Sequence, residues 1–174
     1  MKEPHGRHEL KHYINYSDVL QLRARLPFVA APDGNSTDRN GYRVKSLYFD
    51  NFNDKALKEK IDGVDEREKF RLRLYNNDLS FIRLEKKSKR NGICFKESAV
   101  ITEKECQRLL DGDIGVLKEN GSSLCLELYA KMHYQQLRPK NIVDYMREAF
   151  VYPMGNVRIT LDYDIRTSYN VYYF

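Results

Sequence analysis

The sequence predicts an α+β fold, an antiparallel β-barrel tunnel with a charged lumen and helices packed outside, closed fully or in part. Three observations carry that expectation. Segments of alternating polar and apolar residues recur along the chain, an Asn-Gly dipeptide separates two of them, and Lys or Arg takes every second position in several. At 174 residues the chain suits one domain spanning residues 1–174, large enough for one core and too short for two ordinary ones.

The elements follow in order. Residues 7–15, RHELKHYIN, alternate as a first strand, and Ser17 is the N-cap expected for a helix to about residue 26. Residues 27–42 are rich in Pro, Gly, Asn and Asp and form a loop, after which YRVKSLYFDN alternates again. NDKALKEKIDG is long enough for one or two helical turns, stopped by Gly63. EREKFRLRLYN, SFIRLEKKSKR and ICFKESAVI then read as three strands, the last two joined by Asn91-Gly92, the strongest short hairpin signal. Thr102 and Glu105 form a capping box for a helix to about residue 110, and Ser122 or Ser123 caps another through LCLELYAKMHYQQL. NIVDYMREAFV and NVRITLDYDIRTS close the chain as strands around a turn at Pro153 to Gly155. About seven long strands and a few helices make the α+β pattern.

Positions two apart share a strand face. Arg67, Lys69, Arg71 and Arg73 therefore lie opposite Phe70, Leu72 and Leu74. A single strand of this kind is an ordinary solvated face. The hairpin says more, because a two-residue loop sets Arg90 opposite Ile93, Ser88 opposite Phe95 and Lys87 opposite Lys96. Like charges directly opposite are destabilising unless water screens them or an anion lies between them. Glu85 shares that face and compensates in part. Glu9 with Lys11, Arg43 with Lys45, and Arg158 with Thr160 and Asp162 repeat the pattern, and Arg147 sits between Tyr145 and Ala149. An open sheet or a barrel with a charged lumen satisfies it, and so many strands favour closure.

Composition removes several classes of function. Thirty Lys and Arg against 25 Asp and Glu give a formal charge of +5, informative only if the positive residues are sorted in space. Cys94, Cys106 and Cys125 form neither a CxxC pair nor an even framework, so reduced, mostly buried thiols are expected. No apolar leader and no long apolar run appear, from which a cytoplasmic location is expected. Walker A, GxGxxG and HExxH are missing, the histidines show no metal-ligand spacing, and no nucleophile triad can be assembled.

A confined basic lumen is tolerable when multiply charged anions occupy it. Arg forks grip two phosphate oxygens and Lys acts as a point charge, so a linear phosphate chain suits such a tunnel. Glu9 and Glu85 among the bases could hold a divalent cation, with a plain ion pair to a neighbouring base an equally open reading. RNA competes as the anion, but the aromatics are expected mostly on the apolar face, apart from Tyr13, Phe81 and Tyr145, so no nucleic-acid partner is expected.

RHELKHYI, KFRLRLY, RLEKKSKRNGICFKES, VDYMREAF and VRITLDYDIRTS resemble, in order and spacing over residues 7–168, the VTC domain of polyphosphate polymerases. That family belongs to the triphosphate tunnel metalloenzymes, which are CYTH-like. The resemblance implies that Lys11, Arg71, Arg73, Lys87, Lys96, Arg147 and Arg158 contact phosphate. It implies transfer of the ATP γ-phosphate onto a polyphosphate chain, with Mn²⁺ or Mg²⁺ as cofactor and ATP and polyphosphate as ligands. A triphosphatase of the same fold and a non-catalytic module for polyphosphate or inositol phosphates are the alternatives. The family's pattern runs on past the RTS segment into a strand with a metal-binding Glu and a helix with further Lys, whereas this sequence stops at Phe174. Anion binding is therefore expected to survive better than catalysis, and the exposed last strand is expected to offer an edge for oligomerisation.

Overall fold

The computed structural model describes residues 6–34 and 41–174. In chain order the elements are α1 (Tyr16–Arg25), β1 (Ala31–Pro32), β2 (Tyr42–Asp50), α2 (Lys55–Ile61), β3 (Arg67–Tyr75), β4 (Ile82–Arg90), β5 (Ile93–Ile101), α3 (Glu103–Leu110), α4 (Val116–Asn120), α5 (Ser123–Tyr134), β6 (Arg138–Tyr152) and β7 (Val157–Ser168). The strands β7, β6, β2, β3, β4 and β5 lie side by side as an antiparallel, curled half-barrel, and β1 pairs with residues 150–151 of β6. The α+β class, the antiparallel barrel-type sheet and the partial closure are as expected.

One expected strand is missing. Residues 7–15 contribute a single bridge, Arg7 to Cys94 at the start of β5, with reciprocal N to O distances of 3.0 Å. Beyond Arg7 the segment has no ladder partner, and Leu10 and Tyr13 stand exposed. Alternation supplies the faces of a strand but not a neighbour to pair with. The helix that follows begins one residue before Ser17, because Asn15 and Asp18 cap it reciprocally at 2.9 and 3.0 Å.

The hairpin takes the expected register, with Lys87 opposite Lys96 and Ser88 opposite Phe95. Asn91 (φ 49°) and Gly92 (φ 75°) both lie in the left-handed region that a two-residue turn requires. The Asp65 carboxylate accepts from both of their amides, at 2.7 and 3.0 Å, and ties the turn to the start of β3. Gly41 (φ 77°) leads into β2 where only a glycine fits, since a Cβ there would lie 2.3 Å from the Arg147 carbonyl oxygen.

The main core lies on the outer face of the sheet. Leu47, Phe49, Phe70, Leu72, Ile82, Leu84, Ile101 and Ile142 meet Leu109, Leu117, Leu124, Leu128 and Met132 from α3, α4 and α5. Each such side chain contributes about 1.5–3 kcal/mol on burial. The predicted caps hold α3 and α5, Thr102 with Glu105 and Ser122 with the Cys125 amide, while the short α4 carries no signal that the sequence reading used. Cys106 and Cys125 are buried in this core as free thiols, and burial pushes Cys106 up to about 12. A second cluster packs α1 on the outer side of β6 and β7 through Leu22, Leu26, Ala30, Phe150, Ile159 and Leu161. Among the described residues no helix is long and apolar enough to cross a membrane.

Candidate anion site on the inner face

With the outer face filled by apolar side chains, the alternate residues of β3, β4 and β5 point to the inner face. Strand register sets Lys69, Lys87 and Lys96 side by side across these strands, then Tyr48, Arg71, Glu85 and Ser98 in the row beyond, then Ser46, Arg73 and Arg83. Arg71 and Arg73 are each 5 % exposed and Glu85 is fully buried. Arg71 donates to Glu85 Oε2 from Nε at 2.8 Å and lies 2.6 Å from it through Nη2, while Arg73 stands 3.8 Å from the same oxygen. Lys96 is the ion-pair partner of Glu85 Oε1. Burial alone raises a carboxyl pKa, yet Arg71, Arg73 and Lys96 together hold Glu85 down at about 2.

Further donors of the two guanidinium groups go to hydroxyls. Arg71 Nη1 donates to the Tyr48 hydroxyl at 3.1 Å, Arg73 Nε to Ser46 Oγ at 3.0 Å and Arg73 Nη2 to the Tyr145 hydroxyl at 3.2 Å. Burial opposes ionisation of Tyr48, but Arg71, Lys69 and Arg73 outweigh it and bring this hydroxyl down to about 8.

The N-terminal segment adds Glu9, 3.0 Å from Lys87 and 3.6 Å from Lys11. Burial again works the other way, and Lys87, Lys11 and Arg7 hold the Glu9 carboxyl at about 2. Lys11 and Lys87 thus pair with Glu9, Arg71, Arg73 and Lys96 with Glu85, and Lys69 lies over the Tyr48 ring.

The family model of the VTC domain matches residues 6–171. The chain belongs to the VTC domain family. Among solved structures, a Bacillus halodurans protein described as an adenylate cyclase is similar to this VTC domain at a TM-score of 0.53 and 12 % identity, over 90 % of this chain and 70 % of that one. That likeness shows a shared fold, a curled antiparallel sheet with helices packed on it. The search of curated proteins gave no match.

All seven bases that the resemblance marked lie at the inner face of the VTC domain, in two groups. Lys11, Arg71, Arg73, Lys87 and Lys96 gather around Glu9 and Glu85. Arg147 and Arg158 stand apart on β6 and β7, each with its own acid. Arg147 forks onto Asp162 at 2.7 Å through both Nε and Nη2, and Arg158 meets Asp33 at 2.5 Å and the Tyr42 hydroxyl at 2.9 Å.

Two expectations about faces need correction. Arg43 and Lys45 share a face, but it is the outer one, where Arg43 pairs with Asp144 and Lys45 Nζ donates to the Tyr173 carbonyl oxygen at 3.0 Å. Tyr42, Tyr48 and Tyr75 occupy the inner face beside Tyr145, so the aromatics do not keep to the apolar side. For Arg43, Lys45, Tyr42 and Tyr48 the cause is β2, a central strand with residues of both faces buried, where hydrophobic alternation ceases to report direction.

As to a divalent ion, Glu9 and Glu85 are each engaged by ammonium or guanidinium groups. Glu85 Oε1, which lacks hydrogen-bond geometry, has Lys96 against it. Among the described residues no three His, Cys, Asp or Glu come together to hold a metal. These two carboxylates do not fit a resident metal site, and the ion-pair alternative is the arrangement found. Sequence reasoning missed Lys69, Ser46, Tyr42 and Tyr48, though Lys69 was visible on the face of Arg71 and Arg73.

Proposed function

We propose that this VTC domain binds a polyphosphate chain along its inner face and transfers the γ-phosphate of ATP onto it. The carrying observation is the excess of cations around Glu85 and Glu9, with Lys87 and Lys96 directly opposite in the ladder. A chain of phosphates supplies the missing negative charge. It also offers acceptors to Arg and Lys donors held in place by Tyr48, Ser46 and Tyr145. Phosphoryl transfer needs alignment and stabilisation of charge more than a covalent nucleophile, and buried guanidinium groups provide both. Mn²⁺ or Mg²⁺ belongs to this reading as a companion of the triphosphate. The site residues are Lys11, Arg71, Arg73, Lys87 and Lys96, with Arg147 and Arg158 released from Asp162 and Asp33 as the chain lengthens.

Calorimetry with tripolyphosphate tests binding. Arg73→Ala and Lys96→Ala are each expected to weaken it about 10- to 100-fold, as for loss of a charge-assisted hydrogen bond. Lys96 is 40 % exposed at its side chain, and Arg71 and Arg73 still face Glu85 without it, so the Lys96 variant is expected to fold. Unchanged affinity in both variants refutes the site. Incubation with ATP and Mn²⁺, read as polymer on a gel and as free phosphate, tests the reaction. Polymer supports transfer, phosphate alone shows hydrolysis, and binding with neither product marks a binding module.

A further inference from the structure

We propose that Lys69 is a further phosphate-binding residue, extending the site from Arg73 and Arg71 to a third rung, Lys69–Lys87–Lys96, that senses the length of the bound chain. The proposal rests on the polyphosphate reading above and adds a residue that the family resemblance did not mark.

Lys69 lies on β3 two residues before Arg71 and faces Lys87 on β4, which in turn faces Lys96 on β5. Three ammonium groups thus stand in one row on adjacent strands, which lie about 4.8 Å apart. The chain compensates two of them, Lys87 through Glu9 and Lys96 through Glu85. Among the described residues no carboxylate pairs with Lys69, whose ammonium instead lies 5.3 Å from the centre of the Tyr48 ring. Burial pushes the Lys69 pKa down, and Arg71, Lys11 and Lys87 push the same way against Tyr48. Half-buried and unpaired, this ammonium destabilises the empty protein, and an apolar side chain of the same length would fill the space without that cost. An anion that visits the rung reverses the balance.

Position along the strand sets the length dependence. From Arg73 through Arg71 to Lys69 is four residues, about 13 Å of extended strand. Two linked phosphates engage the arginine rows without reaching this rung, whereas a longer chain engages all three.

The test compares the parent with Lys69→Met and Lys69→Gln by calorimetry, using pyrophosphate, tripolyphosphate and a long-chain polyphosphate, with melting temperatures measured in the absence of ligand. Both variants are expected to melt no lower than the parent and to bind pyrophosphate within about threefold of it. The long chain should bind about tenfold more weakly or worse, with tripolyphosphate in between. A melting temperature held or raised while long-chain affinity falls is a combination that a merely structural lysine does not produce. Repeating the titration at alkaline pH in two buffers of different ionisation heat adds a second readout, because the incoming anion restores the Lys69 proton and the variants should take up fewer protons. The groups facing Lys69 are Tyr48 from β2, Arg71 from its own strand, Lys87 from β4 and Lys11 from the N-terminal segment. Long-chain affinity unchanged at Lys69, while Arg73→Ala weakens it, overturns the role of Lys69 and leaves the site. Equal losses for all three ligands overturn the length dependence, and a parent that binds none of them overturns both proposals.

Discussion

Strands β3, β4 and β5 carry a charged cluster on each face, and the two are composed in opposite ways. Outside, Lys86 and Lys131 are set among Glu68, Glu97 and Glu127, with Lys86 at 2.6 and 2.9 Å from the Glu127 oxygens, 3.6 Å from Glu68 and 3.5 Å from Glu97. Lys131 adds an ion pair to Glu68. Inside, five bases pair with Glu9 and Glu85, and Lys69 stands in the same row as Lys87 and Lys96. Acids outnumber bases in the first cluster and bases outnumber acids in the second. The outer cluster, three acids to two bases, is near balance and fastens α5 to the sheet, whereas the inner one is left well short of negative charge. Burial and ion pairing look alike in both; the ratio of the charges is what separates a fastening from a binding site.

The largest effect that sharpens this contrast is expected from Glu85→Gln. Removing the one buried acid among Arg71, Arg73 and Lys96 should cost about 3 kcal/mol, read by chemical denaturation. Tripolyphosphate should return more stability to the variant than to the parent, because it replaces the lost charge. The pH dependence follows from the depressed carboxyl. Its contribution is complete above about 4.5, the ordinary value, and is lost as pH falls through about 2, so the parent should weaken across that window and the variant less steeply. An equal slope in both proteins would break the assignment.

A smaller effect belongs to the outer face. Lys86→Met leaves Lys131 to serve Glu68 and Glu127, removes the ion pair to Glu97, and should cost about 1–2 kcal/mol in the same denaturation measurement. Its affinity for tripolyphosphate should stay within about twofold of the parent. A strong loss of binding there would merge the two clusters into one system and end the comparison. The smallest signal is spectroscopic. Of the 13 tyrosines, Tyr48 should ionise near pH 8 in an ultraviolet titration, Tyr48→Phe should remove that step, and bound tripolyphosphate should move it upward by offsetting Arg71 and Lys69.

What the sequence disclosed is tied to strong local chemistry. The Asn91-Gly92 turn fixed Lys87 opposite Lys96 because both positions demand positive φ and a two-residue loop leaves the strands no other register. Thr102 with Glu105, and Ser122, marked helix starts because they satisfy backbone amides that have no other partner. Residues 7–15 misled because alternation holds no information about a partner strand. Arg43, Lys45 and the tyrosines of β2 misled because a strand buried on both sides has no polar face to announce its direction. The pairing of Arg147 with Asp162 and of Arg158 with Asp33 depends on strand neighbours and loop ends distant in sequence, and no pattern within one segment carries it.

The order of the strands has a kinetic consequence. The pairs β3–β4 and β4–β5 are hairpins of near neighbours in sequence, while β2 meets β6 only by bringing Tyr42 to Arg147. Local contacts close early and long loops close late. The lysine row is therefore expected to assemble before the wall that bears Tyr145 and Arg147 arrives, at a stage when Glu85 is the acid that its own hairpins supply on that face. A polyanion present during folding would act on this early hairpin sheet as a template, speeding the step that the charges of the chain itself retard.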